Sequence, residues 1–300
     1  MFIFKSERIF KATRNLIYFR FLYFSMKFGV STFAGPLSEL DGLADSIELY
    51  IPKMDLYKNR ELQTDRLDAF FDSFFSYDFY CSAHAPYFPD PEGEHPKELA
   101  IDTAKMEEAD FKLMYESLDI AAHAGADVLV IHPGRITEGG AQKSFGRMIH
   151  NLKVLAEYAE DVGVMLGLEN KENTDPLNLC CHAEELIKAI DLVDSDYLGA
   201  TLDIGHANLT CGGDQKKLAE FVKTISPLVV HVHIHDNHGV DNGYYGGDEH
   251  LVPGRGVIDY SVLRGLGDYD ETFNLEVFSV EEYIEGKAFF KNRLSEFWNI

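Results

Sequence analysis

The stretch Val229 to Gly256 reads VVHVHIHDNHGVDNGYYGGDEHLVPGRG. Val230, Val232 and Ile234 alternate with His231, His233 and His235, a period-two pattern that places the three imidazoles on one face of a β-strand. In the Gly-rich loop that follows, Asp248 and His250 are two residues apart, a spacing that lets both reach one ion. A solvated polar loop after an edge strand would account for any one of these residues. It accounts poorly for the group once the other strands are laid beside it.

Working outward, short apolar runs recur with amphipathic stretches between them. Strands are expected at Phe28 to Ser31, Ser46 to Ile51, Tyr80 to His84, Asp127 to His132, Val164 to Glu169, Leu198 to Asp203, in the stretch quoted above, and at Thr272 to Glu276. Helices are expected at Leu37 to Ala44, Leu62 to Phe75, Asp102 to Ala124, Ala141 to Val162, His182 to Leu192, Asp214 to Ile225, Asp259 to Leu266 and Val280 to Phe297. Such alternation implies parallel pairing and a single α/β domain, a (βα)8 barrel, with an open doubly wound sheet as the alternative. The ionisable residues favour the barrel. His84, His132, Glu169, Asp203, His233 and Glu276 each stand at or near the C-terminal end of a different strand, the rim on which this fold carries its active site. Carboxylates at the ends of apolar strands are costly to bury without a cation, so Glu169, Asp203 and Glu276 converging on one mouth call for a metal.

Composition narrows the partners. The 300 residues are 46% hydrophobic and carry a formal net charge of −23, so a broad phosphate-neutralising surface is excluded and DNA is disfavoured as a substrate. Cys81, Cys180, Cys181 and Cys211 form no CxxC pair, and reduced thiols in a cytoplasmic setting are expected. Residues 1–25 differ from the rest, with Lys5, Arg8, Lys11, Arg14 and Arg20 against Glu7 among many aromatics. No apolar run there is long enough to span a bilayer. We expect a dispensable extension, with an amphipathic membrane-surface helix as the alternative, and the barrel domain in residues 26–300.

The motifs, in order, are HAPY (84–87), VIHPG (130–134), GLEN (167–170), LDIGH (202–206), HVHIHD (231–236), DEHLVPGRG (248–256) and NLEV (274–277). As a set they resemble the xylose-isomerase-like TIM-barrel superfamily, which includes the endonuclease IV group of AP endonucleases (AP endonuclease family 2) and many sugar and sugar-phosphate isomerases and epimerases. The resemblance implies a single (βα)8 TIM barrel and a divalent-metal-dependent enzyme. In the isomerases and epimerases, two glutamates, an aspartate and a histidine hold one Mn2+, Mg2+ or Co2+; these match Glu169, Glu276, Asp203 and His233, with Glu169 and Glu276 as the catalytic acid/base pair. Endonuclease IV adds five ligands and holds up to three Zn2+ ions, and His84, His132, His206, Asp248 and His250 match those five. The resemblance then puts His84, His132 and Glu169 on a first ion, Glu169, Asp203, His233 and Glu276 on a second, and His206, Asp248 and His250 on a third. A phosphoester or phosphodiester hydrolase acting on a small or nucleotide-like substrate is the implied function. The alternative is a single-metal isomerase in which those five residues bond a sugar.

Three further residues are candidates for substrate contact. Tyr87 can stack on a base or sugar, and Arg135 and Arg255 are candidate phosphate clamps because guanidinium pairs bidentately with phosphate. Each has an ordinary alternative as loop cover or as a partner of a surface carboxylate. His231, His235 and His238 are read as orienting His233 or the loop.

Overall fold

A computed structural model describes residues 27–87, 97–243 and 245–293 of the chain. Eight strands close into an all-parallel barrel: β1 (Lys27–Ser31), β2 (Ser46–Tyr50), β3 (Tyr80–His84), β4 (Val128–Ile131), β5 (Met165–Glu169), β6 (Leu198–Asp203), β7 (Val229–Ile234) and β8 (Thr272–Leu275), with β8 pairing back to β1. The basic segment at residues 1–25 lies outside the described residues. No helix among the described residues is long and apolar enough to cross a membrane.

Alternation along the strands sorts the side chains into two sets. Ile47, Leu49, Leu129, Ile131, Leu166, Leu168, Leu202, Val232, Ile234, Phe273 and Leu275 are buried in the hydrophobic core. Most of the alternating side chains are polar: Ser31, Ser46, Glu48, Ser82, Thr201, His231, Thr272 and Asn274 are also buried, beside Val128 and Val130 of β4. The barrel interior is therefore a column of hydrogen-bonding groups, and it needs internal partners at every level.

Helices α1 (Leu37–Leu40), α2 (Thr64–Phe74), α3 (Glu108–Ala124), α4 (Ala141–Val162), α5 (Ala183–Val193), α6 (Ile204–Thr210), α7 (Gln215–Ile225) and α8 (Val280–Lys291) follow the strands. Glycines in the left-handed region stop α3 at Gly125 and α4 at Gly163, as their positions in the sequence suggest. Other boundaries differ from expectation. Helix α3 starts at Glu108 rather than Asp102, because residues 102–107 are held out of the helix. Asp102 Oδ1 accepts the amides of Ala104 (2.9 Å) and Arg135 (3.0 Å), and Thr103 Oγ1 donates to the His132 carbonyl at 3.1 Å. That irregular segment braces the loop carrying His132. The expected helix at Asp259 to Leu266 is a 3-10 helix, Tyr260–Leu266, and α8 ends at Lys291, with residues 294–300 outside the described set. Helix α6 and a hairpin pairing Tyr57–Lys58 with Glu61–Leu62 have no counterpart among the expected elements.

Closure depends on α8 returning to β1. The fully buried Tyr283 donates its hydroxyl to the Phe28 carbonyl at 2.9 Å, while Phe290 stacks on Phe28 with ring centroids 5.4 Å apart. Tyr283→Phe keeps the ring and deletes the donor, so it should lower stability by about 1 kcal/mol. In thermal unfolding that corresponds to a few degrees; an unchanged midpoint would show that the bond contributes nothing net.

Candidate metal centre

The C-terminal ends of the strands gather all nine residues singled out by the motifs. His84 and Glu169 end β3 and β5, Asp203 ends β6, His233 is the fifth residue of β7, and His132 and Glu276 each directly follow a strand. Asp203 also caps α6, accepting the His206 amide at 2.7 Å, which sets His206 beside the strand end. Asp248 and His250 come from the long loop after β7. Backbone bonds between Asp236 and Leu251 (2.7 and 2.8 Å) pin that loop back onto the barrel, and the Asp236 carboxylate accepts the amides of Gly254, Asn237 and Ile258. His250 takes a positive φ of 47°, an unfavourable conformation that this clamp sustains.

Glu169 is the hub. Its Oε2 lies 3.1 Å from His132 Nε2, 3.6 Å from His84 Nε2 and 3.7 Å from His233 Nδ1, and its Oε1 lies 3.0 Å from His206 Nδ1. A second focus forms at Asp248, whose Oδ2 is 3.2 Å from His206 Nε2 and 3.3 Å from His250 Nε2. His235 joins it: its ring stacks on His250 at 4.0 Å, and its Nε2 lies 3.1 Å from Asp203 Oδ1 and 3.5 Å from Asp248 Oδ1. His233 Nδ1 faces Glu276 Oε2 at 3.4 Å and Asp203 Oδ2 at 4.0 Å.

The histidine tautomers follow from their outer partners, because a carbonyl oxygen can only accept a hydrogen bond. Nδ1 of His84 faces the Ala85 carbonyl (2.9 Å), Nδ1 of His206 the Asn170 carbonyl (2.9 Å) and Nδ1 of His250 the Glu276 carbonyl (3.0 Å). Each Nδ1 therefore carries the proton, and in the neutral ring each Nε2 presents a lone pair toward the carboxylates. Lone pairs facing carboxylate oxygens repel unless a cation or proton lies between them. Glu169 Oε2, Asp248 Oδ1 and His233 Nδ1 are buried with no hydrogen-bond partner. These orphaned atoms and the imidazoles tied down at their outer nitrogen fit divalent cations.

Three groups of donor atoms lie within 4.8 Å of one another at this mouth: His84, His132 and Glu169; His206, His235, Asp248 and His250; and Glu169, Asp203 and His206, with Asp203, His235 and Glu276 forming a further overlapping set. Burial works against charge on Glu169 and Asp248, yet the imidazoles of His132, His206 and His84 hold Glu169 well below the usual carboxylate range, and those of His250, His206 and His235 do so for Asp248. Burial pushes Glu276 above that range, against the pull of His233 and His250.

The substrate candidates separate. Tyr87 reaches the centre, its ring stacked on His132 at 4.2 Å and its hydroxyl 2.5 Å from that of Tyr50. Arg135 pairs with Asp175 at 2.6 Å. Arg255 pairs with Glu285 (2.5 Å) and Glu282 (3.7 Å) on exposed α8, and no ion pair joins it to the nine residues. Two groups escape the sequence reading. Lys171 Nζ sits 3.1 Å from both His206 Nε2 and Glu172 Oε2. Glu48, fully buried in β2, bonds His231 and His233; the charged residue inside the apolar run Ser46 to Ile51 was its only signal. Against the cost of burial, the His233 and His231 imidazoles hold its carboxyl well below the usual range.

Comparison with known proteins agrees with this architecture. The chain is 32% identical over 204 residues to an uncharacterized protein of Methanocaldococcus jannaschii, covering 65% of this chain and 67% of that protein. It is 24% identical over 216 residues to a probable endonuclease 4 of Mesomycoplasma hyopneumoniae (71% and 73% covered) and 26% identical over 186 residues to a fructoselysine 3-epimerase of Escherichia coli O157:H7 (61% and 65%). Among solved structures, a D-tagatose 3-epimerase-like protein superposes with a TM-score of 0.71 at 27% identity, covering 91% of this chain and 98% of its own. The IolI protein, solved with a zinc atom, gives 0.66 at 18% identity over 92% and 100%. With residues 38–293 matched by its family profile, the chain belongs to the xylose isomerase-like TIM barrel family.

Proposed function

We propose that the chain is a metal-dependent phosphoester hydrolase of endonuclease IV-like chemistry, acting on a small or nucleotide-like phosphoester with more than one zinc ion. The number of fixed donors at one mouth carries this reading: nine strand-end and loop residues, joined by His235, are more than twice what a tetrahedral zinc takes. Glu169 Oε2 faces His84 and His132 of the first group and also His233 Nδ1, which stands beside Asp203 and Glu276, so it is the residue suited to bridge two ions. When bound, such ions would neutralise phosphate oxygens and acidify a water near neutral pH.

The chain's own groups complete the site. Lys171, beside His206, supplies a fixed positive charge at the edge of the second focus, where a phosphate oxygen would gain a charge-assisted bond. Tyr87 offers an aromatic edge next to His132 for a base or sugar ring. The overall charge of −23 favours a small phosphoester over duplex DNA.

A second reading has its own observation. Glu169 Oε2 and Glu276 Oε2 both face His233 Nδ1, at 3.7 and 3.4 Å, so two carboxylates that could serve a proton shuttle at a carbon next to a carbonyl open on the same mouth. In that case one Mn2+, Mg2+ or Co2+ ion would serve, His84, His132, His206, Asp248 and His250 would bond sugar hydroxyls, and the likeness to the D-tagatose 3-epimerase-like structure would extend to chemistry.

Parallel assays decide between them: a chromogenic phosphodiester, an abasic-site duplex and a panel of ketoses, each with metal content measured on the same protein. The hydrolase reading expects cleavage of the small phosphodiester and more than one zinc per chain. His132→Ala and Asp248→Ala should each cut that cleavage by roughly a hundredfold or more. Ketose epimerisation with a single stable Mn2+ and no phosphoester cleavage would replace it with the second reading.

A further inference from the structure

His233 differs from the other imidazoles of the centre in which nitrogen it turns inward. His84, His206 and His250 tie down Nδ1 on backbone carbonyls, whereas His233 Nε2 bonds Glu48 Oε2 at 2.9 Å and leaves Nδ1 facing Glu276, Glu169 and Asp203. The same Glu48 oxygen lies 3.1 Å from His231 Nε2, and the other, Oε1, accepts from Ser31 Oγ at 2.7 Å. Asn274 Nδ2 donates in turn to Ser31 Oγ at 3.2 Å. Glu48, His231 and His233 are all buried, and the two rings stand nearly perpendicular (86°), their centroids 5.1 Å apart. A carboxylate offers only acceptors, so both Nε2 atoms must carry the hydrogen.

We infer that Glu48 is a positioning residue of the centre: by accepting the Nε2–H of His233 it fixes Nδ1 as the nitrogen presented to Glu169, Asp203 and Glu276, and thereby sets the affinity of that site for a divalent cation. The inference rests on the metal-dependent reading but not on the choice between hydrolase and epimerase, since both use these four residues. It gives the polar column of the barrel a purpose. Ser31, itself held by Asn274, bonds one oxygen of Glu48, His231 shares the other, and the carboxylate stands on the side of His233 away from the cation. A carboxylate behind an imidazole also raises the basicity of its opposite nitrogen.

The test has two arms. In metal-free protein, 15N-edited NMR should show slowly exchanging Nε2 protons on both His231 and His233. On zinc loading the His233 Nε2 proton should persist while its Nδ1 resonance shifts; loss of the Nε2 proton would mean that His233 binds through the other nitrogen and would overturn the inference. In the second arm, Zn2+ and Co2+ are titrated into Glu48→Gln. Glu48→Gln keeps an acceptor for the imidazoles but removes the negative charge behind His233 and forces Ser31 to turn from donor to acceptor, so Zn2+ affinity should fall roughly 10- to 100-fold and the visible spectrum of the Co2+ form should change. His231→Asn, which spares the Glu48–His233 bond, should leave affinity within about threefold of wild type. Unchanged affinity in Glu48→Gln, or an equal loss in His231→Asn, would reduce Glu48 to a packing group. Should Glu48→Gln fail to fold, the NMR of the wild-type chain decides alone. Wild-type protein that takes up no divalent ion would retire the proposed function, while the metal-free Nε2 protons still report on the Glu48 bond.

Discussion

Glu169→Gln should abolish turnover, by at least about a thousandfold, and should lower bound metal by one ion or more per chain. The expectation comes from how many groups one carboxylate serves. Its two oxygens face His132, His84, His233 and His206 at 3.0 to 3.7 Å, and Oε2 has no hydrogen-bond partner of its own. Gln keeps the volume but removes the charge, and an NH2 in place of Oε2 would face the lone pairs of His84 Nε2 and His233 Nδ1, so two donor groups are disturbed by one change. The residue belongs to both readings, as the bridging ligand of a multinuclear site and as half of an acid/base pair. Loss of activity alone therefore does not separate them, but the metal count does. A multinuclear site should lose more than one ion, because His84 and His132 on one side and His233 on the other share this carboxylate, whereas a single-metal enzyme can lose only one. Full activity with unchanged metal content would remove Glu169 from the centre altogether.

The strand ends were legible because a barrel strand shows its chemistry in its last residue. An apolar run closed by histidine or carboxylate, as at His84, Glu169 and Asp203, needs no partner to be recognised. Asp248 and His250 were legible as a pair from their spacing, but only the family resemblance tied them to this mouth, since nothing local says that the Asp236–Leu251 backbone bonds fold their loop back over it. Glu48 was missed for the opposite reason. Its partners His231 and His233 are 183 and 185 residues away, and only barrel closure brings β2 and β7 to the same axis. Arg255 illustrates the limit of reading a cation from its neighbours. It follows the DEHLVP segment, yet α8 presents Glu282 and Glu285 to it, and α8 is contributed by the end of the chain. The start of α3 is a further case: Asp102 to Glu107 have helical composition, but the amides and carbonyls around Asp102 and Thr103 are committed to the His132 loop.

A barrel whose interior carries Ser, Thr, Asn, His and Glu gains less from apolar burial along its axis than one filled by branched aliphatics, and Ser82 Oγ, Thr201 Oγ1 and Asn274 Oδ1 lie buried in it without a hydrogen-bond partner. The mouth adds further unpartnered atoms. Glu169, Asp248 and His233 keep buried atoms without partners, so a cation bound at this end would stabilise it.

Removing metal should accordingly cost stability as well as activity. An ion that binds the folded chain at a thousand times its Kd contributes about 4 kcal/mol per site, and in a domain of this size each kcal/mol corresponds to roughly 2–4 °C in the unfolding midpoint. Chelation should therefore lower the midpoint at pH 7.5 by about ten degrees, more if several sites empty, and added zinc should restore it. The increment should shrink as pH falls, because protons compete for the lone pairs on His84, His206 and His250 Nε2 and on His233 Nδ1, and because metal binding to these imidazoles and carboxylates releases protons. The sign is opposite for a purely structural carboxylate–imidazole cluster. There the buried histidines whose values are raised, His84, His206, His233 and His250 with the last at about 9, contribute stability that is fully present below their unfolded values and lost as pH rises through the folded ones. Scanning calorimetry with and without chelator from pH 5.5 to 8.5 separates the two. A zinc-dependent increment that grows with pH marks a metal centre. Identical midpoints at every pH would leave the mouth of the barrel as a proton-held cluster and take the metal-dependent function with it.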